Sequence, residues 1–231
     1  MARKNKFPEI EQELKIKLPL KDLEKVFRVL SRGKKIEHKY TPRLYYDTAD
    51  LQLYRRGISL RVQYKPGRDG RLGGHAQTLK FSQGAAAMKG ALLRKECQDA
   101  LHDATPDLGK VSDREAKALI KPFKKKKWRH IFTAEMERRF FMLKGGKGLA
   151  EIAFDVGQIV LPHNGCRFPF AEIEIELKEG PGQVIADLYK KIKKIAPSAR
   201  IQPMSKSDQG SLLYLRARPG RADLKSRQAR P

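Results

Sequence analysis

The sequence has few of the features that mark the commonest classes of small protein. Its 231 residues include 2 cysteines and 1 tryptophan, and no stretch approaches the roughly 18 consecutive apolar residues of a transmembrane helix. Cys97 and Cys166 fit no metal-ligand spacing and cannot make a disulfide framework, so we expect a reducing, cytoplasmic location. The basic N-terminus is followed by no apolar run, so we expect no signal peptide and no membrane partner.

Several common catalytic and nucleotide-binding motifs are also missing. There is no Walker-type glycine loop, no dinucleotide fingerprint and no Ser/His/Asp order typical of nucleophilic catalysis. The histidines are scattered along the chain, and we expect none of them to bind a metal: His38, His75, His102, His130 and His163.

Acidic residues are scarce relative to basic ones. Lys and Arg number 50 against 26 Asp and Glu, which gives a net charge of +24, so the partner is expected to be anionic. The length suits one domain. We predict a basic extension over residues 1–6, a folded domain over 7–215 and a basic, disordered tail over 216–231 that makes non-specific polyanion contacts.

The first predicted strand, residues 9–17, carries charged and apolar side chains in alternation. Glu11, Glu13 and Lys15 therefore share one face of the strand. The two glutamates would lie ~7 Å apart, and their repulsion of roughly 2 kcal/mol would become an attraction around a divalent cation. A second acidic ladder, Glu172-Ile173-Glu174-Ile175-Glu176, lies near the other end. We interpret both ladders as a surface for metal ions and phosphate.

The hydrophobic pattern predicts eight strands with few helices. The strands are residues 9–17, 43–47, 58–64, 76–82, 92–101, 131–143, 149–160 and 168–178. Helices are predicted over 21–30, from a capping box at Ser112 to about Ile120, and after Gly180-Pro181. Residues 205–214 are predicted as a turn leading into a short final element. We therefore predict an α+β fold, an eight-stranded antiparallel β-barrel with a few flanking helices.

The sequence alone leaves open which face of the sheet is enclosed. A charged strand face that points to solvent is the ordinary arrangement. Two features favour an enclosed charged face instead: the acids cluster at i, i+2 positions without interleaved bases, and few helices are available to cover the opposite apolar faces.

An ordered series of motifs resembles the CYTH superfamily, the triphosphate tunnel metalloenzymes. Glu11-Gln12-Glu13-Leu14-Lys15 fits the ExExK signature of that superfamily. The similarity continues through Tyr45-Tyr46-Asp47-Thr48, Gly57–Val62, Thr78-Leu79-Lys80, Arg94-Lys95-Glu96, Phe132–Arg138, Glu151–Gly157, Glu172–Lys178 and Ser205-Lys206-Ser207. It covers about residues 7–215.

The resemblance implies a tunnel that binds a triphosphate and a role for each matching residue. Glu11, Glu13 and Lys15 would be catalytic. Mg²⁺ or Mn²⁺ would be held by Glu11, Glu13, Asp155, Glu172, Glu174 and Glu176. Phosphate oxygens would be contacted by Lys15, Arg43, Arg61, Lys80, Arg94, Arg138 and Lys206. Gln63 and Gln209 depart from the family pattern, because arginine is usual at both positions.

Several functions are compatible with the resemblance. We expect an inorganic triphosphatase that hydrolyses tripolyphosphate as a monomer or homodimer. Class IV adenylate cyclase and thiamine triphosphatase are the alternatives within the superfamily, although no aromatic pair in the sequence can be placed as a base-stacking platform. A non-catalytic module that binds polyphosphate or RNA is the alternative outside it.

Overall fold

The computed structural model describes residues 10–65, 73–86, 88–145 and 148–217, which form ten strands and four α-helices. The strands are β1 Ile10–Lys17, β2 Glu37–Tyr40, β3 Arg43–Asp47, β4 Ile58–Tyr64, β5 His75–Ala85, β6 Leu92–Leu101, β7 Arg129–Gly145, β8 Gly148–Val160, β9 Arg167–Glu179 and β10 Arg200–Ile201. The helices are α1 Leu20–Leu30, α2 Arg114–Ile120, α3 Gln183–Ile195 and α4 Lys206–Arg216.

Eight of the strands close into an antiparallel barrel, as predicted. Their order around the barrel is β1, β6, β5, β4, β3, β7, β8 and β9, and β9 pairs with β1 to complete the ring. The short strands β2 and β10 lie outside this ring, on β7 and β1 respectively. Closure leaves no unpaired edge in the ring, and the ring therefore encloses a central space.

The interior of the barrel is lined by charged side chains, unlike an ordinary globular core. On β1, Leu14 and Ile16 are fully buried on the outer face, whereas Glu13 and Lys15 point to the interior. Because side chains alternate along a strand, Ile173 and Ile175 on β9 and Leu60 on β4 likewise lie on the outer face, opposite to the chamber-lining residues beside them. The structure encloses the charged face. The sequence alone had left open which face is enclosed.

Helices pack on the barrel in three apolar clusters, two on its outer face and one, formed with α4, on its inner face next to the chamber. Helices α1 and α3 pack on β1, β7, β8 and β9, with Leu23 and Ile192 fully buried. Helix α2 and the 3₁₀ turn Lys121–Phe123 cover β4, β5 and β6. Helix α4 lies against β3, β7 and β8 at close range, because a Cβ on Gly210 would come within 2.3 Å of the Phe132 ring. Within the described residues, no helix combines the length and the apolar character needed to cross a membrane.

The turn after β3 is organised by one buried carboxylate. Asp47 accepts hydrogen bonds from the backbone N–H groups of Leu53 and Tyr54, each at 2.9 Å. Burial raises the pKa of Asp47, and these hydrogen bonds oppose the rise. The Tyr-Tyr-Asp-Thr motif is thus in part a structural element that fixes the start of β4.

Three local predictions were wrong or incomplete. The α2 N-cap is Asp113, whose carboxylate accepts from Ala116 N–H at 2.8 Å; Ser112 binds Asp99 instead. The segment after Ser205 is not a turn but the eleven-residue helix α4, because Ser205 and Asp208 form a capping box. Strands β2 and β10 were not predicted, since they are short and largely exposed. The predicted tail lies outside the described residues from position 218 onward. The predicted N-terminal extension, residues 1–6, also lies outside them.

Candidate active site

The barrel interior contains a polar chamber of about 150 Å³. Seven basic side chains line it: Lys15, Arg43, Arg61, Lys80, Arg94, Arg138 and Lys206. Five carboxylates line it as well: Glu11, Glu13, Glu96, Glu174 and Glu176. Tyr45, Ser59, Ser205 and Ser207 complete the wall. The surplus of bases suits a polyanion, while the carboxylates provide oxygen ligands of the kind that Mg²⁺ and Mn²⁺ prefer.

The two acidic ladders of the sequence are neighbours in the barrel. In the antiparallel pairing of β1 with β9, Glu13 lies opposite Glu176 and Lys15 lies opposite Glu174. Residues opposite one another in such a pair have their Cβ atoms roughly 5 Å apart. The pairing therefore brings three glutamates and one lysine to adjacent positions on one wall.

Lys206 anchors a buried ionic cluster on the α4 side of the chamber. The capping box of α4 fixes this first turn of the helix. The Lys206 ammonium lies 2.6 Å from an Asp155 oxygen and 2.8 Å from a Glu174 oxygen, and it also contacts Glu172. Burial disfavours the charge on Lys206, but the three carboxylates outweigh it and hold the pKa of this lysine well above its ordinary value.

Arg138 shares two of the same carboxylates. Its Nε and Nη2 each donate to one oxygen of Asp155 at 2.7 Å, and Nη2 also contacts Glu174. Burial acts to raise the pKa of Asp155, but Arg138 and Lys206 prevail and lower it to about 2. The same bases, with Lys15, hold the pKa of Glu174 well below its usual range against the effect of burial. Both carboxylates are therefore ionised at neutral pH.

Asp155, Glu172 and Glu174 are close enough to be considered together as a metal site. One carboxylate oxygen from each lies within 4.8 Å of the others, and all three residues are buried. The Lys206 ammonium contacts all three, so a metal ion at that point would have to displace it. The carboxylates of Glu11, Glu13 and Glu176 face the chamber without contact to Lys206.

A second ionic cluster lies on the opposite wall. Lys80 donates to Glu11 at 2.5 Å and also contacts Glu96, and Arg61 lies 3.4 Å from the other Glu96 oxygen. Burial raises the pKa of Glu11, helped by the nearby charges of Glu96 and Glu176. Burial acts in the same direction on Glu13, but Lys15 and Lys80 outweigh it and lower its pKa.

Two buried guanidinium groups are not fully satisfied by the protein. Among the described residues, neither Arg43 Nε nor Arg61 Nε has a hydrogen-bond acceptor. Burial lowers the pKa of Arg43 to about 10, and the neighbouring charges of Arg61 and Arg138 contribute to the shift. Buried donors without partners are costly. An anion in the chamber would supply acceptors and negative charge together.

All but two of the predicted site residues line the chamber wall. The exceptions, Asp155 and Glu172, lie directly behind it against Lys206 and Arg138. Their assignment as metal ligands stays a prediction, as do the roles of the others. Gln63 lies just outside the chamber, in the cavity that leads away from Arg43 and Arg61, whereas Gln209 contacts the Met204 carbonyl and does not line the chamber.

Five residues of the chamber wall were missed as site residues. Tyr45, Ser59 and Glu96 are each two positions from a predicted arginine on the same strand, and strict alternation would have found them. Ser205 and Ser207 flank Lys206 at the start of α4, and the prediction of a turn there concealed them.

Solved structures share the fold at low sequence identity. A putative adenylyl cyclase from Hippeastrum, described as having a dominant triphosphatase activity, has 15% identity and a TM-score of 0.56 over 85% of this chain and 92% of that one. A putative adenylate cyclase from Bacillus halodurans has 18% identity and a TM-score of 0.55, over 84% and 93%. The RNA triphosphatase domain of a mimivirus mRNA capping enzyme has 10% identity and a TM-score of 0.50, over 82% and 90%.

Sequence comparison gives the family. No curated protein is similar enough in sequence to count as a match. The CYTH domain model, however, matches residues 9–211, which is most of the chain and includes β1, β9 and the start of α4. The closed barrel and its charged interior agree with the resemblance drawn from the motifs, and this chain belongs to the CYTH domain family.

Proposed function

We propose that this protein hydrolyses a triphosphate in the barrel chamber with the help of Mg²⁺ or Mn²⁺, and that inorganic tripolyphosphate is a substrate. The observation that carries the proposal is the chamber wall, where seven bases face five carboxylates and two buried guanidinium N–H groups lack acceptors. Tripolyphosphate is a linear polyanion without an organic part, so it would need nothing beyond this wall.

The basic residues bind and orient the phosphate chain. Arg43 and Arg61 would donate their unpartnered Nε–H groups to phosphate oxygens, and Arg94, which donates to Ser59 at 3.1 Å, would contact a third oxygen. Guanidinium groups suit this task because their donors match the spacing of phosphate oxygens. Asp155 and Glu172, by contrast, hold Lys206 and Arg138 in place from behind.

The carboxylates of the chamber fit a divalent cation. We assign Glu11, Glu13, Glu174 and Glu176 as the candidate ligands, because all four line the chamber and offer hard oxygen donors. An ion bound there would neutralise charge on the phosphoryl oxygens. In the reaction, water adds to the terminal phosphorus, the bond from that phosphorus to the bridging oxygen breaks, and orthophosphate and pyrophosphate leave.

The experiment is phosphate release from tripolyphosphate by the full chain with Mg²⁺, with Mn²⁺ and with EDTA. Glu13→Gln should lower the metal-dependent kcat by on the order of 100-fold, the loss typical of one removed electrostatic contact to the transition state. Glu179→Gln is the matched control, because this exposed carboxylate lies at the end of β9 and not in the chamber wall. Full activity of Glu13→Gln would refute the assignment.

A substrate panel separates the alternatives. ATP and thiamine triphosphate are tested beside tripolyphosphate, with cyclic AMP and phosphate measured as separate products. Conversion of ATP to cyclic AMP would replace the hydrolase proposal with a cyclase. Binding of polyphosphate or RNA without metal, unchanged in Glu11→Gln and Glu174→Gln and without any turnover, would favour a binding module.

A further inference from the structure

A dense group of basic side chains lies on the outer surface of the protein, over α2 and the turn that follows it. Between residues 114 and 129, eight bases stand against one acid, and all eight are exposed. Two more exposed bases come from a distant segment, the 3₁₀ turn Tyr54–Arg56, because the Arg56 guanidinium lies 4.9 Å from the centre of the Phe123 ring. These residues form a basic patch, whose central members are Arg55, Arg56, Lys117, Lys121 and the lysines 124–127.

The lysine run of the patch is part of the folded structure. The two aromatic residues that flank it, Phe123 and Trp128, pack into the apolar cluster over β4, β5 and β6, and Phe123 is 1% exposed. The Lys126 N–H donates to the Phe123 carbonyl at 2.9 Å, so the run starts with a closed turn. The backbone of the four lysines is therefore fixed on the surface, where a rigid partner can bind them without a large ordering cost.

Helix α2 separates the patch from the barrel. Ala116 and Ile120 are buried and pack on the outer face of β4, β5 and β6. Lys117 and Lys121 are four residues apart, so they lie on one face of the helix, and both are exposed. The patch and the chamber are thus on opposite sides of the same strands, and the patch is not part of the site proposed for the triphosphate.

The patch has almost no acidic counter-charge. Its bases form no ion pair with any other described residue, and the one acid of the segment is Glu115. The Glu115 carboxylate accepts from Gln83 at 3.0 Å and lies 3.2 Å from the Lys95 ammonium, on the side toward β5 and β6. Like charges gathered in this way repel one another, and no contact within the described fold offsets the repulsion. A polyanion bound on the patch would offset it.

The chemistry of the patch fits a phosphate backbone and not unpaired bases. Proteins that bind single strands combine a basic groove with aromatic rings on which the bases stack. The rings of Phe123 and Trp128 are packed into the apolar cluster, so they offer no such platform. A nucleic acid duplex keeps its own bases stacked inside and presents about one negative charge per 1.7 Å of its axis.

An anionic membrane fits the patch less well than a nucleic acid does. A helix that binds at a membrane surface inserts its apolar face into the lipid. In α2 that face, with Ala116 and Ile120, is already buried against the barrel. The side that remains exposed offers charge for a polyanion and no broad apolar face for lipid.

We propose that the basic patch binds the phosphate backbone of double-stranded nucleic acid, independently of its sequence and of the chamber. Lysine and arginine side chains neutralise phosphates and release the counterions condensed on the duplex, so the affinity should fall steeply with salt. RNA and DNA duplexes share this chemistry, and measuring both identifies the source. A failure of triphosphate hydrolysis would leave this proposal standing, because no patch residue lines the chamber.

The test is fluorescence anisotropy of the full chain with labelled RNA and DNA duplexes of mixed sequence, over a series of salt concentrations. The test variant replaces the lysine run by glutamine: Lys124→Gln, Lys125→Gln, Lys126→Gln and Lys127→Gln. It should weaken duplex binding by roughly 10- to 1,000-fold at about 0.1 M salt and flatten the plot of log K against log salt by about 2–4, since each phosphate contact contributes about 0.9 to that slope. Arginine at the same four positions keeps the charge and should keep the affinity within about threefold of wild type.

The matched control removes four charges from the other side of the barrel, where α1 and α3 lie. Its substitutions, all at exposed positions, are Lys21→Gln, Lys25→Gln, Lys191→Gln and Lys194→Gln. The net charge falls equally in both glutamine variants, but exposed charges act over a Debye length of about 10 Å at 0.1 M salt, so the control should change the duplex affinity by less than about threefold. Both variants should melt like wild type, because the replaced side chains are exposed.

Equal weakening by the two glutamine variants would overturn the proposal, because the binding would then follow the net charge of the chain. Absence of duplex binding at about 0.1 M salt would overturn it as well, and so would tighter binding of a single strand than of either duplex. Binding to phosphatidylserine vesicles that is lost when the lysine run is replaced, with duplex affinity unchanged, would assign the patch to a membrane instead. Tighter binding of one duplex than of the other would support the proposal and identify the partner.

Discussion

Replacing Lys206 by methionine removes a charge that the fold surrounds with acids. Only 4% of the Lys206 side chain is exposed, and its ammonium contacts Asp155, Glu172 and Glu174. Methionine has a similar length and fills the space without a charge. The variant therefore tests the ionic cluster and not the packing of α4.

The expected loss of stability is large. Removing one partner of a buried ion pair leaves an uncompensated charge and costs about 3–5 kcal/mol. That is a sizeable share of the total of about 5–15 kcal/mol that holds a domain folded. For a chain of this size the melting temperature should fall by roughly 6–20 °C.

The loss should depend on pH in a defined direction. In the wild type, burial raises the pKa of Glu172 even with Lys206 present. In the wild type, the folded-state pKa values of Asp155 and Glu174 lie below their unfolded values. Without the ammonium, the folded-state pKa values of all three carboxylates rise. A carboxyl whose folded pKa exceeds its unfolded pKa costs stability when ionised, and this cost disappears as pH falls through the folded value. The destabilisation should thus be larger at pH 8 than at pH 5.

Urea denaturation at pH 5 and pH 8 measures the effect. Lys190→Met is the matched control, since its only ion pair within the described residues, with Asp187 at 3.8 Å, is exposed and should contribute nothing measurable. The double variant Lys206→Met/Glu172→Gln should recover part of the loss, because it removes one of the uncompensated charges. A Lys206→Met protein with the wild-type midpoint at pH 8 would refute the buried-cluster argument, as would a loss that is independent of pH.

Three further predictions concern packing, capping and charge. Gly210→Ala should destabilise the fold by about 1–3 kcal/mol in urea denaturation, because its Cβ would overlap the Phe132 ring; Gly74→Ala, with its nearest contact at 3.5 Å, is the control. Asp113→Ala should lose about 1 kcal/mol in the same assay, since Ala116 N–H loses its cap. Deleting residues 218–231 should leave kcat/KM for tripolyphosphate unchanged while weakening retention on immobilised RNA; a marked fall in kcat/KM would contradict a chamber that is complete without the tail.

Much of the barrel could be predicted because its strands alternate strictly. On β1 and β9 the charged and apolar residues define two faces, and the positions of all eight barrel strands follow from such patterns. Which face is enclosed could not be predicted from any single strand, since a sheet with its charges in solvent has the same alternation. That choice depends on two apolar clusters formed between distant segments on the outer face of the barrel.

The parts that could not be predicted depend on tertiary contacts. Strand β2 has no hydrophobic pattern of its own and exists because β7 extends beyond β3 and offers it an edge. Helix α4 begins with polar residues, and its apolar contacts are with β3 and β7. In the candidate site, the motifs identified the charged residues other than Glu96, but not that Lys206 would be surrounded by Asp155, Glu172 and Glu174.

The pairing of β1 with β9 joins segments 159 residues apart at Lys15 and Glu174. A ribosome adds about 5–20 residues per second, so the first strand emerges roughly 10–30 s before its second neighbour exists. During that interval the apolar face of β1, which carries Leu14 and Ile16, cannot pack against β9 or α3. The barrel therefore closes late in biosynthesis, and a nascent chain that ends before β9 leaves this apolar face uncovered.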